Sequence, residues 1–193
     1  MNGPLRVRNG RGATNTRHGN FGDRLINKPP EHIRIVPMAE ELIPSFWDCL
    51  DAVSRERRYL ALTNAPGPDS VREFIRAAIA RGVPQFVALD RARVVGWCDV
   101  FPHEKEGFTH GGRLGMGLLL EYRRQGIGRL LAMKAIDGAK ELGLERIELD
   151  VFASNKSAIA LYVSLGFAFE GAKRKGRKID GVYDDVIQMA LFF

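Results

Sequence analysis

The chain has 193 residues, 45% of them hydrophobic, which suits one domain with its own core, and no apolar stretch approaches the roughly 20 residues of a membrane helix. Residues 1–31 hold six cations and two acids of a chain whose net charge is +6, so the remainder lacks the charge of a dedicated nucleic-acid binder. Cys49 and Cys98 form no CxxC pair, which argues against a disulfide scaffold or a metal site and favours a cytoplasmic protein.

Residues 1–31 are predicted to form a flexible basic leader. They are rich in Gly, Asn and Arg and end in a proline pair, and their few apolar residues cannot offset the entropy lost on ordering. The segment also lacks the apolar centre of a secretory signal. The folded domain is therefore predicted to span residues 32–193.

The first half of this domain is predicted to contain four strands and two helices. Alternating apolar residues indicate the strands, and apolar residues at helical spacing indicate the helices. The strands are placed at 32–38, 84–90, 93–101 and 113–120, and the helices at 39–56 and 71–82. Asp69 or Ser70 is expected to cap the second helix. Gly115 and Gly117 interrupt the fourth strand.

The second half is predicted to contain two helices and three strands. The helices are placed at 127–143 and 155–165, and the strands at 146–152, 167–171 and 182–193. One face of the first of these helices is expected to carry its apolar residues: Ile127, Leu130, Leu131, Ala135 and Leu142. The whole order, β-α-α-β-β-β-α-β-α-β-β, predicts an α/β fold with a mixed sheet and helices on its faces.

The link between the fourth strand and the third helix is rich in arginine and glycine. It reads Arg-Arg-Gln-Gly-Ile-Gly over residues 123–128. Free amides and the dipole at a helix start attract phosphate, and glycine allows close approach. No Gly-Lys-Ser/Thr follows, and Leu131 stands where a dinucleotide loop needs a small residue, so two common phosphate loops are excluded. A phosphate cradle and a plain turn with solvated charges both remain open from the residues alone.

These residues resemble the coenzyme A signature of the GNAT superfamily of N-acetyltransferases, Gln/Arg-x-x-Gly-x-Gly/Ala. A second family motif, an Asn at the next helix start, a Tyr along that helix and then Gly-Phe, is matched by Asn155, Tyr162, Gly166 and Phe167. The resemblance covers about residues 32–193. It implies the GNAT fold, a mostly antiparallel mixed sheet of about seven strands with a splayed central pair and helices on both faces.

The resemblance also implies acetyl-CoA as cosubstrate and no metal. It assigns the pyrophosphate to the backbone amides of residues 125–129 and the pantetheine to a bulged strand edge, although the leucines of that edge could equally be core. The implied cofactor-binding residues are Leu118, Leu119, Leu120, Arg123, Arg124, Gln125, Gly126, Ile127, Gly128, Arg129, Asn155 and Tyr162.

Two catalytic roles are needed for acyl transfer from a thioester to an amine. Asn155 and Tyr162 are two helical turns apart and share a face, and the resemblance gives Tyr162 the task of assisting the leaving thiolate. The group that takes the amine's proton is less determined. The candidates are Asp99, His103, Glu104, Glu106 and His110. His110 is placed first, because it lies near where several family members hold a base.

The function implied by this resemblance is transfer of an acetyl group from acetyl-CoA to a primary amine by direct attack in a ternary complex. The acceptor could be a small-molecule amine, an amino acid or a protein amine, and the enzyme could be a homodimer. Two alternatives remain: a non-catalytic acyl-CoA-binding regulator, and a ribosome- or nucleic-acid-associated acetyltransferase that uses the basic leader. With one aromatic residue, Phe21, the leader is poorly equipped for base stacking, and neither a nucleic acid nor a membrane is the expected partner.

Overall fold

Seven strands form one mixed sheet in the computed structural model, which describes residues 30–193. The strands are β1 Ile33–Pro37, β2 Gln85–Asp90, β3 Arg93–Pro102, β4 Gly111–Leu118, β5 Arg146–Phe152, β6 Ala168–Ile179 and β7 Val182–Phe192. Their order is β1-β2-β3-β4-β5-β7-β6, and β4 and β5 are the parallel pair in an otherwise antiparallel sheet. This confirms the predicted fold class. The predicted leader falls almost wholly on residues 1–29, outside the described residues.

Four α-helices cover the two faces of this sheet: α1 Ile43–Arg55, α2 Pro68–Ala80, α3 Ile127–Glu141 and α4 Lys156–Ser164. Phe46 of α1 packs edge-on against Trp97 of β3, so α1 lies on the face to which Trp97 points. Gly138 of α3 lies against Phe86, which is paired with Cys98 on the opposite face. None of the helices in residues 30–193 is long and apolar enough to cross a membrane.

Three sequence predictions are corrected by the fold. Helix α2 begins at Pro68 after Gly67, so neither Asp69 nor Ser70 caps it; proline suits this first position because the amide it lacks has no helical partner there. Strand β6 has 12 residues rather than the five predicted. The prediction is too short because β6 is an exposed edge strand whose polar sequence shows no alternation. Leu142 is 45% exposed, because α3 ends at Glu141 before it can join the buried face.

Other predicted elements agree with the fold fully or to within two residues. Strand β5 has its predicted bounds and buries Ile147, Leu149 and Val151 in alternation. On α3, Ile127 and Leu131 are fully buried as predicted. Strand β4 starts and ends two residues earlier than predicted, at Gly111 and Leu118.

The central pair of strands separates after three residue pairs. Strands β4 and β5 are paired with each other from Gly111–Arg146 to Arg113–Glu148. Beyond these pairs β4 continues to Leu118 and β5 to Phe152 without hydrogen-bonding to each other. This is the splayed pair that the resemblance implied. The separated edges leave backbone amides and carbonyls available for other partners.

The bulge expected in β4 does not occur in the described register. Pairing between β3 and β4 runs without a shift from Gly96–Leu118 to Pro102–Gly112. The interrupting glycines instead make room for side chains of β3. A Cβ on Gly117 would lie 2.2 Å from the Trp97 ring, and one on Gly115 would lie 2.8 Å from an Asp99 oxygen.

Gly117→Ala is therefore expected to lower the free energy of unfolding by about 1–3 kcal/mol, because the added methyl forces the buried Trp97 ring to move. Urea denaturation measures the effect. Gly107→Ala is the matched control, because a Cβ there meets nothing within 4 Å, and it should leave stability nearly unchanged. Equal stability of the two variants would contradict the packing account.

Candidate functional site

A cleft of about 770 Å³ opens where β4 and β5 separate. Its strand walls are residues 113–118 of β4 and 150–152 of β5. The turn before α3 and the helix α4 supply another wall, through Arg124, Gly126, Gly128, Arg129, Asn155 and Tyr162. The connection after α1 and the far part of β6 complete the cleft. Residues distant in sequence thus meet at one opening in the sheet.

The turn before α3 presents the start of a helix to the cleft. Gly126 is its N-cap and has a φ of 81°, the left-handed conformation that favours glycine. Among the described residues no side chain caps this helix, so the amides of its first turn keep no side-chain acceptor. Such amides and the positive end of the helix dipole form a site for phosphate oxygens.

The three arginines of the turn and of the first residues of α3 differ in their surroundings. Arg123 donates to both carboxylate oxygens of Glu56 and, through Nε at 2.8 Å, to the carbonyl of Leu118. Its guanidinium also lies 4.7 Å from the centre of the Tyr59 ring, so it joins the end of α1 to the end of β4. Arg129 donates to the Ser164 hydroxyl at 2.9 Å. Arg124 and Arg129 bring positive charge to the cleft wall at the start of α3.

The other predicted cofactor residues lie in different surroundings, and only some of them line the cleft. Leu118 lines the cleft. Leu119 is buried, with its amide donating to the Val95 carbonyl at 2.9 Å, and Leu120 is exposed in a short 3₁₀ turn. Gln125 donates its side-chain amide to the Glu121 carbonyl at 2.7 Å, which steadies the turn. The strand edge available in the cleft is therefore shorter than the three leucines suggested.

Asn155 and Tyr162 both lie on the cleft wall formed by α4. Asn155 caps the helix, its side-chain oxygen accepting the amide of Ala158 at 3.2 Å. Tyr162 is 6% exposed and packs beside Phe167. Burial, with a smaller contribution from Cys98, raises the pKa of the Tyr162 hydroxyl. The hydroxyl therefore stays protonated at neutral pH and can donate a hydrogen bond.

Asp99 is the most buried of the proposed bases. It is 9% exposed and lies on β3 directly opposite Gly115 of the cleft wall. Desolvation by burial raises its pKa to about 7, against hydrogen bonds from the Gln85 side chain and the Gly115 amide, which act in the lowering direction. A carboxyl group with this pKa exchanges a proton readily near neutral pH.

The other proposed bases lie away from the cleft. His110 is exposed in the turn before β4, at the end where β4 and β5 remain paired, and its carbonyl accepts the amides of Glu145 and Arg146. His103 lies 3.4 Å from Glu148, and Glu104 lies 2.8 Å from Arg81. Like that of Asp99, none of these side chains belongs to the described lining of the cleft. Asp99 differs from them in being buried against Gly115, which does belong to that lining.

The comparison with known protein families gives a direct result. A family model described as the acetyltransferase (GNAT) family matches residues 43–167. The chain belongs to this family. The matched span runs from the start of α1 to Phe167, the residue before β6, and so contains the whole turn before α3.

Several GNAT relatives and structures are similar to this chain. A ribosomal protein bS18-alanine N-acetyltransferase from Escherichia coli is 42% identical over 71 residues, 37% of this chain and 48% of that protein, so the chain spans about half the length of that relative. An L-amino acid N-acetyltransferase from Escherichia coli is 29% identical over 133 residues, 68% of this chain and 82% of that protein. A Salmonella typhimurium putative acetyltransferase structure, yncA with its cofactor acetyl-CoA, shares the fold at a TM-score of 0.78 and 18% identity, covering 83% of this chain and 94% of that one.

Two cleft features of this GNAT domain were not predicted from the sequence. Arg113 of β4 and Asp150 of β5 form an ion pair of 2.5 Å across the point where the strands separate. Arg177 of β6 donates to the Arg57 carbonyl at 2.7 Å and stacks over Phe152, joining the hairpin to the connection after α1. The alternation of β5 does indicate that Asp150 lies on the face of the strand opposite to its buried neighbours. The sequence gives no comparable sign for Arg177, because it lies in the part of β6 that has no apolar alternation.

Within residues 30–193 of this GNAT chain, no group of three or more His, Cys, Asp or Glu side chains is arranged to hold a metal ion.

Proposed function

We propose that this protein is an acetyl-CoA-dependent N-acetyltransferase that acts on a primary amine in a ternary complex. The observation that carries this proposal is the cleft between β4 and β5, with Tyr162 and the start of α3, which no side chain caps, on its walls. The names of the GNAT relatives, which are N-acetyltransferases, support it. The acetyl-CoA in the Salmonella neighbour supports the choice of cosubstrate.

The pyrophosphate of acetyl-CoA is assigned to the backbone amides of residues 125–129. The positive end of the α3 dipole favours the negative charge of the pyrophosphate, and the positive charges of Arg124 and Arg129 strengthen this attraction. The pantetheine arm follows the cleft edge at Leu118, where unpaired backbone groups of β4 can bind its amides. Asn155 shapes the same wall, while Arg123 acts through its ion pair with Glu56.

The reaction forms a C–N bond between the amine and the acetyl carbonyl and breaks the C–S bond. A Lys-like amine has a pKa of about 10.4, so a base must take its proton, and the departing thiolate needs a donor. We assign the base to Asp99 rather than His110, because Asp99 has a pKa of about 7 and lies against the cleft strand at Gly115. The Tyr162 hydroxyl donates a hydrogen bond to the thiolate sulfur.

The acceptor class is a primary amine, and the relatives act on a ribosomal-protein alanine and on an L-amino acid, according to their names. A cytoplasmic location and a homodimer stay predictions from the sequence. The described fold adds no observation that favours the regulator over the enzyme, whereas the buried Tyr162 in the cleft favours the enzyme.

A coenzyme A release assay over a panel of primary amines tests the function. The expected result is thiol release that depends on the amine, with an equal amount of N-acetylated product found by mass spectrometry. Binding of acetyl-CoA without transfer to any amine would favour the non-catalytic regulator. Absence of both binding and transfer would contradict the proposal as a whole.

A further inference from the structure

A second cavity, of about 460 Å³, lies on the α1 and α2 side of the sheet. Its wall is mostly apolar and includes the aromatic rings of Phe46, Phe74, Trp97 and Phe101. Phe46 and Trp97 meet edge-to-face with ring centres 5.5 Å apart, and Phe74 stacks on Phe101 at 4.9 Å. This volume lies in the range of small-molecule sites, and aromatic walls of this kind suit an apolar, ring-sized group.

Two buried oxygen-bearing side chains reach this apolar space. Asp99 and Gln85 both line the cavity and are 9% and 5% exposed. The Gln85 side chain hydrogen-bonds to Asp99, while its own Oε1 is buried without a hydrogen-bond partner among the described residues. Buried polar atoms in proteins nearly always have a partner. An orphaned acceptor beside a carboxylate therefore indicates a ligand that brings N–H donors.

The cavity ends next to the cleft. The position of a Cβ on Gly115 lies 2.8 Å from the Asp99 carboxylate, and Gly115 itself lines the cleft. The chain after α1 walls both spaces, with Ala61 at the cleft and Leu62 at the cavity. A molecule that filled the cavity with its nitrogen at Asp99 would thus place that nitrogen beside the strand that borders the cleft.

We propose that this cavity binds the body of the acceptor, and that the acceptor is a primary amine on an apolar, ring-sized group, with its nitrogen at Asp99 and Gln85. This inference rests on the proposed function. The two oxygen acceptors suit an amine, which offers N–H donors. They disfavour an acceptor that carries a carboxylate or phosphate into this space, because a second anion beside Asp99 would be repelled.

Selectivity between 2-phenylethylamine and ethanolamine tests the proposal. Both are primary amines, but the former has a ring to fill the cavity. The wild-type protein is expected to show a kcat/KM at least about 100-fold higher for 2-phenylethylamine, since a single methylene in an apolar pocket can contribute about 10- to 200-fold. Equal or greater efficiency with ethanolamine or spermidine would overturn the proposal while leaving the proposed function intact.

Val71→Phe on α2 links this selectivity to the cavity. Val71 is 5% exposed and lines the cavity, so the larger side chain occupies acceptor space. The ratio of kcat/KM values for the two amines is expected to fall at least about 10-fold. The matched control is Arg72→Phe, the next residue, which is exposed and paired with Asp69 at the surface. An unchanged ratio in Val71→Phe would overturn the assignment of the cavity.

A binding measurement keeps the proposal testable without turnover. Trp97 lines the cavity, so titration with 2-phenylethylamine is expected to change tryptophan fluorescence saturably in the wild type and in Arg72→Phe. The dissociation constant for 2-phenylethylamine should be at least about 10-fold higher in Val71→Phe than in the wild type. No saturable change in the wild type would overturn the inference. Failure of the proposed function is different, since it appears as absent acetyl-CoA binding with the fluorescence response retained.

Discussion

Asp99→Asn is expected to lower kcat/KM for amine acetylation by about 10²- to 10⁴-fold, the usual contribution of a positioned base. The carboxyl group is buried on β3 against the cleft strand at Gly115 and accepts hydrogen bonds from Gln85 and Gly115. Asparagine keeps its size and retains one acceptor oxygen, but it takes no proton. Steady-state kinetics with a substrate amine measure the loss.

The pH profile separates this role from a structural one. Burial raises the pKa of Asp99 to about 7, so wild-type kcat/KM, expressed per concentration of unprotonated amine, should rise with pH as this group loses its proton near pH 7. Asp99→Asn should lack that rise, because the titration of the substrate amine itself has been divided out. Asp150→Asn is the comparison, because Asp150 is an exposed carboxylate of the cleft paired with Arg113, and its variant should keep the rise. Loss of the rise in His110→Gln, with the rise retained in Asp99→Asn, would return the role to His110.

Measurements of stability show whether a loss of activity in Asp99→Asn comes from unfolding of the variant. Between about pH 4 and 7 the folded wild type retains the Asp99 proton while an unfolded aspartate has lost it. The folded state then binds more protons, so its free energy of unfolding falls as pH rises over this window, relative to Asp99→Asn. Urea denaturation at pH 5 and pH 8 should show this difference, and the variant should be folded at both values.

Tyr162→Phe is expected to reduce kcat by about 10- to 1,000-fold, within the range of a positioned proton donor. Burial raises the pKa of the hydroxyl, which therefore stays protonated beside the cleft. Its hydrogen bond to sulfur strengthens as the thiolate forms, and such interactions affect kcat rather than ground-state binding. The ring still packs against Phe167, so the acetyl-CoA dissociation constant and the stability should change little.

Tyr122→Phe is the matched control for this prediction. It also removes one tyrosine hydroxyl, but that hydroxyl donates to Asp90 at 2.8 Å, and Tyr122 does not line the described cleft. Its kcat should stay close to that of the wild type. A wild-type kcat in Tyr162→Phe would remove Tyr162 from the mechanism and leave water as the proton source for the thiolate.

The local elements of this fold could be predicted because their signals are local. The alternation of β5 follows directly from one face of the strand packing into the core. The turn before α3 is assigned a phosphate role through its resemblance to the family signature, since the residues alone leave a plain turn equally open. The far part of β6 could not be predicted, because an exposed edge strand needs no apolar alternation and its residues from Lys173 to Lys178 are largely charged.

The chemistry of the site depended on contacts between distant residues. Asp99 was one of five candidates in the sequence, and only the register that places it opposite Gly115 distinguishes it. Arg123 is a second example, since its motif position gives no sign of its pairing with Glu56, although it also lines the cleft as a cofactor residue would. The reason for the two glycines of β4 was likewise non-local, because they accommodate side chains of β3. Strand register therefore carries the information that the sequence pattern lacks.

Calorimetric titration of acetyl-CoA into the wild type and Gly128→Ala tests whether the cleft at the start of α3 binds this cosubstrate. A Cβ at Gly128 would lie 3.4 Å from Met116 and 3.7 Å from Leu161, which are ordinary contacts, and alanine favours helix, so the variant should fold. We expect saturable one-to-one binding to the wild type, with a raised melting temperature. Gly128→Ala should bind about 10-fold more weakly, because its methyl enters the cleft at the start of α3. No binding of millimolar acetyl-CoA to the folded wild type would contradict its role as the cosubstrate of this protein.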